Sequence, residues 1–311
     1  MIEVENLTKS YGPRLAVDRL TFQVNQGEVV GFLGPNGAGK STTMNILCSI
    51  LPATSGSVRV HGHDVFENPL EVRRKIGYLP ENPPLYQDMV VRDFLVFAAK
   101  IHQVPSAKIK QAVNSVIERC MLGDVRGRII GRLSKGYQQR VGLAQAMVHD
   151  PDILILDEPT IGLDPIQIIE IRNLIRDLGK EHTILLSSHI LPEVTQTCQR
   201  VIIIHEGQIA AMDTLEGLTA SLNKTQRLEL TLRKDAEQAV EKLNSLAPVI
   251  SATVQSSNQY ILECQPESLP QEEVARLVLE QGWGLESLRP VSLSLEDIFL
   301  QLTTEESEVE V

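Results

Sequence analysis

The segment that most constrains the fold of this chain is glycine-rich and lies between an apolar run and a helical pattern. Residues 34–41, GPNGAGKS, fit the pattern G-x-x-x-x-G-K-[ST], follow a predicted strand at Val29–Leu33 and begin a helix that includes residues 42–51. Glycines allow positive φ angles, so backbone N–H groups can turn inward around a phosphate, and the helix N-terminus adds partial positive charge. This context disfavours a simple glycine-rich turn with a surface lysine. The residues predicted to contact the nucleotide here are Gly34, Pro35, Asn36, Gly37, Ala38, Gly39, Lys40, Ser41 and Thr42.

An acidic pair completes the predicted site. Residues 153–156 form an apolar strand that is followed by Asp157 and Glu158 at its carboxyl end, where parallel sheets place their ligands. Lys40 is expected to reach the β- and γ-phosphates, and Ser41 and Asp157 are expected to hold Mg²⁺. Glu158 is positioned to orient and deprotonate the water that attacks the γ-phosphate. The residues therefore predict a nucleoside triphosphatase.

The hydrophobic pattern predicts an α/β first domain over residues 1–220. Short β-rich runs alternate with helical patterns, which indicates a largely parallel sheet flanked by helices. Helical periodicity over residues 91–100 and 109–121, interrupted by Pro105, predicts an inserted helical lobe over about residues 82–145. The strands predicted to be buried are Val29–Leu33 and residues 153–156, 184–187 and 201–205.

The composition changes near residue 221, where a second domain is predicted to begin. Residues 221–311 hold 7 basic and 16 acidic side chains, so they carry −9 of the formal net charge of −11. Their pattern over residues 221–304 is βαββαβ, which predicts a small α+β domain of the ferredoxin-like type. An apolar helix at residues 295–302 follows, with Ser294 as its predicted N-cap, and then an acidic tail at 305–311 that is expected to be solvated and disordered.

Composition and charge restrict the compartment and the partners. The four cysteines form no CxxC pair and have no nearby histidine cluster, which predicts neither disulfides nor a zinc site and fits a reducing compartment. The sequence His61-Gly62-His63-Asp64 lacks further ligands and is interpreted as a polar turn. No apolar run approaches the roughly 18 residues that span a bilayer, so any membrane link is expected to come through a partner. The negative charge argues against a nucleic-acid partner.

Residues 133–140, LSKGYQQR, narrow the class of triphosphatase. They resemble the signature of ATP-binding cassette (ABC) proteins, which is commonly written LSGGQ and precedes the acidic strand as it does here. Residues 162–165, GLDP, resemble that family's D-loop, and His189 its switch histidine. Tyr11 stands at the position of the aromatic side chain that stacks on adenine. These elements follow one another in the family's order, and the resemblance covers residues 2–220.

The resemblance implies a mechanism in which two cassettes enclose two ATP molecules. The signature of one subunit closes on the ATP that the phosphate loop of the other subunit holds, through the Ser134 side chain and the Gly136 N–H group. Asp164 belongs to the same nucleotide-contacting set, and His189 is expected to contact the γ-phosphate and the attacking water. The chain would then pair with a second ATP-binding subunit, predicted to be an identical copy. Residues 82–100 would form the groove that binds the membrane permease, with Pro83, Pro84, Leu85 and Tyr86 as apolar contacts.

Two positions depart from the family pattern. Lys135 and Tyr137 replace the glycine and glutamine of the signature, and Glu81 stands where the family has the Q-loop glutamine. Glu81 remains a possible Mg²⁺-facing oxygen ligand, although it adds a negative charge. These departures, and the ending SLSLEDIFL at residues 292–300, resemble ABC-2 type exporters.

The sequence therefore predicts an ATP-hydrolysing subunit that powers a separate permease, cytoplasmic and bound peripherally to the inner face of the cell membrane. One alternative is a soluble ABC ATPase that remodels nucleoprotein complexes, which usually carries two cassettes or a long coiled coil. Another is a mainly regulatory cassette whose residues 221–311 form a ligand-sensing module.

Overall fold

The computed structural model describes residues 1–222, 226–234, 238–265 and 270–291. These residues form two compact units, the first ending at Thr214 and the second beginning at Leu215. The predicted helix at 295–302, the exporter-like ending at 292–300 and the acidic tail at 305–311 lie outside the described residues. No helix within the described ranges is long and apolar enough to cross a bilayer.

The chain begins with a four-stranded antiparallel sheet, which the sequence analysis did not predict. The first two strands pair as a hairpin in which Tyr11 lies opposite Arg14 across the turn at Gly12, and so short a connection can join only antiparallel strands. Alternate residues such as Ile2 and Val4 are buried, as expected for a sheet with one covered face. The strands, in spatial order, are β2 (Arg14–Val24), β1 (Ile2–Tyr11), β4 (Ser55–Val60) and β5 (His63–Asp64).

The second sheet carries the predicted site at its carboxyl edge. It has six strands, of which five are parallel, and the edge strand β10 runs antiparallel to its neighbour β9. Its central strands are buried over their whole length, which explains their continuous apolar sequence and confirms the predicted parallel sheet. The strands, in spatial order, are β10 (Gln208–Thr214), β9 (Arg200–His205), β3 (Val29–Leu33), β8 (Thr183–Ser188), β7 (Ile153–Asp157) and β6 (Ile76–Leu79).

Helices connect these strands and form the predicted lobe. In the lobe, α3 (Val91–Ile101) and α4 (Ser106–Arg119) are separated at Pro105 as the sequence predicts, although α4 begins three residues before residue 109. A 3₁₀ turn (Ile130–Arg132) leads into α5 (Lys135–Met147). The other helices of this unit are α1 (Lys40–Leu47), α2 (Pro69–Lys75), α6 (Pro165–Leu178) and α7 (Leu191–Thr195).

The second unit shows the predicted βαββαβ order after a leading helix, α8 (Leu215–Leu222). All three strand pairings of its sheet are antiparallel, in the spatial order β12-β13-β11-β14. Leu230, Leu262 and Tyr260 are among the buried side chains of its own core. The elements are β11 (Gln226–Leu232), α9 (Ala239–Asn244), β12 (Val249–Ser256), β13 (Gln259–Cys264), α10 (Pro270–Glu280) and β14 (Leu285–Val291).

Candidate nucleotide site

The glycine-rich loop lies between β3 and α1, and the N–H groups of Gly34 and Ala38 donate to the carbonyl oxygens of Ser188 and Pro35. Gly39 precedes the helix at φ 105°, and a Cβ there would lie 2.5 Å from the carbonyl oxygen of Ala16, so only glycine fits. Within the part of the chain that the structure describes, no acceptor is hydrogen-bonded to the N–H groups of Gly37, Gly39, Lys40 and Ser41. Free donors at a helix N-terminus form a cradle that fits a phosphate group.

Lys40 points into this loop from a buried position. Its Nζ atom donates to the carbonyl oxygens of Gly34, at 2.8 Å, and Pro35, at 3.2 Å, and lies 3.3 Å from Oε1 of Glu158. Its side chain is only 6% exposed, so the ammonium charge is desolvated and acts over a short range. The loop therefore holds a positive charge next to Glu158, the residue predicted to act as the general base.

A serine that the sequence analysis did not select, at the end of the predicted strand 184–187, joins the two acidic residues. The Ser187 hydroxyl donates to Oδ1 of Asp157 at 2.6 Å and accepts the backbone N–H of Glu158 at 2.9 Å. Asp157 is 2% exposed and Glu158 is 5% exposed, and Glu158 adopts the left-handed φ of 47°, which is uncommon for a residue other than glycine. Ser187, on β8, thus orients the Asp157 carboxylate and fixes the backbone of Glu158 at the end of the adjacent strand β7.

His189 contacts the carboxylate of Glu158 directly. Its Nδ1 atom lies 2.9 Å from Oε2 of Glu158, and because an ionised carboxylate only accepts, Nδ1 carries the proton. The His189 side chain is 34% exposed, whereas that of Glu158 is 7% exposed. The histidine therefore stands between the buried carboxylate and solvent.

A third buried acid, Glu193, which the sequence analysis missed, joins the segments that follow β7 and end β8. Oε2 of Glu193 accepts hydrogen bonds from the hydroxyls of Thr160, at 2.6 Å, and Ser188, at 2.9 Å. Thr160 lies in the segment after β7, and Ser188 is the last residue of β8. The contact with Thr160 is not visible in the sequence, because Thr160 and Glu193 are 33 positions apart.

Most of the predicted nucleotide residues of the phosphate-loop half line one cavity of about 480 Å³, but Gly34, Pro35 and Ala38 do not. Tyr11, at its edge, is 48% exposed, so its ring is open to stacking. Arg14 also lines this cavity, and the sequence analysis did not select it. The remaining lining includes Asn36, Gly37, Gly39, Lys40, Ser41, Thr42, Glu81 and Glu158.

Three oxygen-bearing side chains converge on a neighbouring cavity of about 620 Å³. Ser41, Glu81 and Asp157 all line it, and Ser41 and Glu81 line the 480 Å³ cavity as well. Burial, together with the negative charge of Asp157, raises the pKa of Cys48 and of Tyr78, so both stay neutral near neutral pH. Hydroxyl and carboxylate oxygens are the donor set that Mg²⁺ prefers, so these residues fit that ion.

The signature residues lie elsewhere in the unit. Ser134, Gly136 and Asp164 line a separate cavity of about 310 Å³, and none of them lines either cavity described above. The Ser134 hydroxyl accepts the N–H of Tyr137 at 3.5 Å as the N-cap of α5. Within one copy the phosphate loop and the signature are therefore not brought together.

The residues that depart from the signature pattern make defined contacts. A Cβ on Gly162 would lie 2.2 Å from Nζ of Lys135, so the lysine side chain lies directly over Gly162 of the D-loop. The Tyr137 hydroxyl donates to Asp124 at 2.7 Å, and the guanidinium of Arg140 lies 5.6 Å from the Tyr137 ring centroid. Both departures thus add contacts around the signature and leave Ser134 in place.

Comparison with known proteins identifies the family. A model described as "ABC transporter" matches residues 17–161. The bacitracin transport ATP-binding protein BcrA of Bacillus licheniformis is 36% identical over 304 residues, which cover 97% of each chain. The chain belongs to the ABC transporter ATP-binding family. The linearmycin resistance ATP-binding protein LnrL of Bacillus subtilis (strain 168) is 30% identical over 97% of this chain and 98% of its own.

Two further similarities support this assignment. The Nod factor export ATP-binding protein I of Paraburkholderia xenovorans is 33% identical over 98% of this chain and 97% of its own. A solved ATP-binding subunit of an ABC transporter matches 72% of this chain and 93% of its own, at 29% identity and a TM-score of 0.65. These findings confirm the predicted α/β cassette and an ATP-binding, ATP-hydrolysing transporter subunit, and they do not favour the nucleoprotein-remodelling alternative.

Proposed function

We propose that two copies of this ABC chain form composite sites for MgATP and that ATP hydrolysis there powers export through a separate permease. The observation that carries this proposal is the separation of the two half-sites. The phosphate loop, Lys40 and Glu158 share one cavity, whereas Ser134 and Gly136 line another. A second copy, which presents its signature to the loop of the first, completes each site.

The residues of one half-site have complementary roles in this proposal. The loop N–H groups and Lys40 bind the phosphates, and Tyr11 stacks on the base. Ser41 and Asp157, with Glu81, hold Mg²⁺, which supplies charge neutralisation at the phosphate oxygens. Glu158 accepts the proton of the attacking water, while Ser187 and His189 hold the glutamate in place.

The signature half-site adds donors from the second copy. Ser134, the Gly136 N–H group and the N-terminus of α5 face the γ-phosphate, and Asp164 organises the adjacent start of α6. Lys135 lies across Gly162 and adds a positive charge beside these donors. Because this contact surface exists only between two copies, hydrolysis depends on their association.

Export through a partner is supported by the relatives' names, which refer to bacitracin transport, linearmycin resistance and Nod factor export.

The helical lobe offers an exposed aromatic surface for the permease. Tyr86 is 53% exposed and Phe97 is 36% exposed, and their ring centroids lie 5.4 Å apart. Exposed aromatic side chains of this kind are enriched at protein interfaces. In this proposal the chain lies at the inner face of the cell membrane, bound through the permease.

Affinity purification of the tagged chain from detergent-solubilised membranes, with and without ATP, tests this function. We expect a polytopic membrane protein to co-purify with the wild-type chain and with Met212→Asp, and to be lost with Tyr86→Asp. Met212 is 41% exposed and lies on β10, an edge strand of the six-stranded sheet and not part of the helical lobe. Met212→Asp therefore controls for the effect of an added surface charge. Recovery of only a soluble complex or nucleic acid would contradict the proposal.

A further inference from the structure

Arg14 lines the nucleotide cavity and has no role in the function proposed above. It is the first residue of β2 and lies directly opposite Tyr11, the last residue of β1. Side chains at opposite positions of an antiparallel pair project from the same face of the sheet. Both side chains line the cavity that Lys40 and Ser41 also line. The β1–β2 hairpin therefore places an aromatic ring and a cation together at the nucleotide site.

The Arg14 guanidinium lies close to the phosphate loop. A Cβ on Gly37 would lie 3.8 Å from Nη2 of Arg14, and no other described residue beyond the two chain neighbours of Gly37 has an atom within 4 Å of that point. Gly37 has a φ angle of 85°, and no described residue supplies an acceptor to its N–H group. A phosphate bound by this N–H group would therefore lie next to the guanidinium.

Arg14 differs from the other cation of this cavity in having no partner within the described ranges. Lys40 lies 3.3 Å from Glu158 and donates to two carbonyl oxygens of the loop. Arg14 is exposed, and no hydrogen bond or ion pair joins it to another described residue. Glu81 and Glu158 bring two negative charges to the same lining, and a nucleotide adds its own. Arg14 is therefore the cation available to offset the charge of the phosphates.

We propose that Arg14 binds a phosphate group of the nucleotide. The inference rests on the proposed function, since it takes MgATP as the ligand. A guanidinium presents its donors in a planar fork that matches two phosphate oxygens, and it stays charged across the physiological pH range. Tyr11 stacks on the base, whereas Arg14 selects for the phosphate chain. The hairpin thus contacts both parts of a nucleotide.

The base is the other group that this side chain could contact, because an arginine can stack its guanidinium plane on an aromatic ring. The guanidinium lies at Gly37, however, in the loop whose N–H groups form the phosphate cradle. The cation that lies over the Tyr11 ring is Lys9, at 5.2 Å from the centroid, and not Arg14. Position and charge both favour the phosphate.

Equilibrium titration with two nucleotides tests this contact. MgADP is titrated into the wild-type chain, and MgATP into the Glu158→Gln background, in which hydrolysis is expected to be slow. We expect Arg14→Gln to raise the dissociation constant about ten-fold, because a charge-assisted hydrogen bond to phosphate is lost. A rise for both nucleotides places the contact at the α- or β-phosphate, and a rise for MgATP alone places it at the γ-phosphate. Unchanged dissociation constants for both would overturn the inference.

Arg59→Gln is the matched control for the loss of a surface charge. Arg59 is exposed on β4 of the same antiparallel sheet and lines neither cavity of the nucleotide site. We expect Arg59→Gln to bind like the wild type and Arg14→Lys, which keeps the charge but not the fork, to lie between the wild type and Arg14→Gln. Equal weakening by Arg59→Gln would overturn the inference. A wild-type chain that binds neither nucleotide would instead contradict the proposed function.

Comparison of MgATP with MgGTP separates a phosphate contact from a base contact. The phosphate chain is the same in both, so Arg14→Gln should lower both affinities by the same factor and leave their ratio unchanged. It should also make binding less sensitive to added salt, because one exposed charge pair is lost. A changed ratio of the two affinities would show that Arg14 contacts the base, and would overturn the inference.

Discussion

At the scale of single residues, the site is a set of charges whose positions are fixed by contacts within the protein. Lys40, Glu158 and His189 form a continuous chain of contacts, and Ser187 links Glu158 to Asp157. Each charge has a partner, which is how buried charges are tolerated in proteins. The site is therefore preorganised. A bound phosphate would take over contacts that Lys40 now makes with loop carbonyl oxygens and Glu158, and the other side chains need not be rearranged.

Glu158→Gln tests the assignment of the general base. We expect ATP binding to be retained, because the loop and Lys40 are unchanged, and turnover to fall by at least about 10²-fold, the usual contribution of a general base. ATP hydrolysis and equilibrium nucleotide binding are measured on the same preparations, with Glu67→Gln, an exposed acid, as the control. Undiminished turnover of Glu158→Gln would remove the role of Glu158.

Local motifs in the sequence indicated the phosphate loop, Asp157 and Glu158 as candidate site residues, and the structure places Lys40 of that loop 3.3 Å from Glu158. A glycine pattern, or an acidic pair after an apolar strand, can be recognised because all of its residues lie within a short stretch of sequence. The supporting contacts are different in kind: the bond from Ser187 to Asp157 joins positions 30 residues apart, and the one from Glu193 to Thr160 joins positions 33 apart. One sequence shows no pairing of such residues, so their partners emerge only from the fold.

At the scale of secondary-structure elements, helix starts hold the signature region in place. Asp164 is the N-cap of α6, where its Oδ1 accepts the N–H groups of Ile166 at 3.0 Å and Gln167 at 2.9 Å. The sequence analysis assigned Asp164 to nucleotide contact, and the structure shows a capping role within the copy. The two are compatible, since a capped helix keeps the D-loop in position.

Removal of this cap should destabilise the cassette. We expect Asp164→Ala to lower the free energy of unfolding by about 1 kcal/mol, because two helix N–H groups lose their acceptor. Asp164→Asn keeps a capping side chain and should cost only a fraction of that amount. Urea unfolding of both variants measures the difference. Equal loss in Asn and Ala would show that the negative charge, and not the cap, is what matters.

Two histidines at helix ends stack against each other. His102 follows α3 and His149 follows α5, with ring centroids 3.9 Å apart and an interplanar angle of 5°. Nε2 of His149 lies 3.1 Å from the carbonyl oxygen of Ile76 and therefore carries the proton. Burial and the facing His102 lower the pKa of His149 to about 4, and burial lowers the pKa of His102. The cavity beside them is also lined by Arg74, Lys108, Arg119 and Asp150.

This stack predicts a loss of stability in mild acid. The ring of an unfolded histidine has a pKa of about 6.5. Between that pH and the pKa of about 4 in the folded protein, the unfolded chain binds a proton that the folded His149 does not bind. The free energy of unfolding is therefore highest above a pH of about 6.5 and falls as the pH falls towards 4. We expect the melting temperature to fall between pH 7.5 and pH 5, and to fall less in His149→Phe, which keeps a ring in the stack. Parallel pH profiles for the two proteins would contradict this explanation.

The fold was predictable from the sequence to differing extents at this scale. Continuous apolar runs identified the buried parallel strands, because a strand covered on both faces is apolar at nearly every position. The antiparallel sheet formed by β1, β2, β4 and β5 escaped prediction. Its strands carry an alternating pattern that is weaker than a continuous run, and the pairing of β1 with β4 joins segments about 50 residues apart.

At the scale of the whole molecule, charge is unevenly distributed along the chain. Residues 221–311 carry −9 of the net charge of −11, while the nucleotide cavity of the first unit is lined by Lys40 and Arg14 beside the N-terminus of α1. A phosphate site needs positive potential, which explains why basic groups line it although the chain as a whole is acidic.

The central claim is that two copies share each ATP site, and mass measurement of a trapped dimer tests it most directly. In the Glu158→Gln background, sedimentation velocity with MgATP should show an ATP-dependent dimer that binds one ATP per chain. Ser134→Asp keeps the α5 cap but sets a negative charge against the partner's phosphate, so it should abolish that dimer without loss of ATP binding. Ser134→Asn, a neutral cap, should retain the dimer. An ATP-dependent dimer that persists equally in Ser134→Asp would contradict the claim.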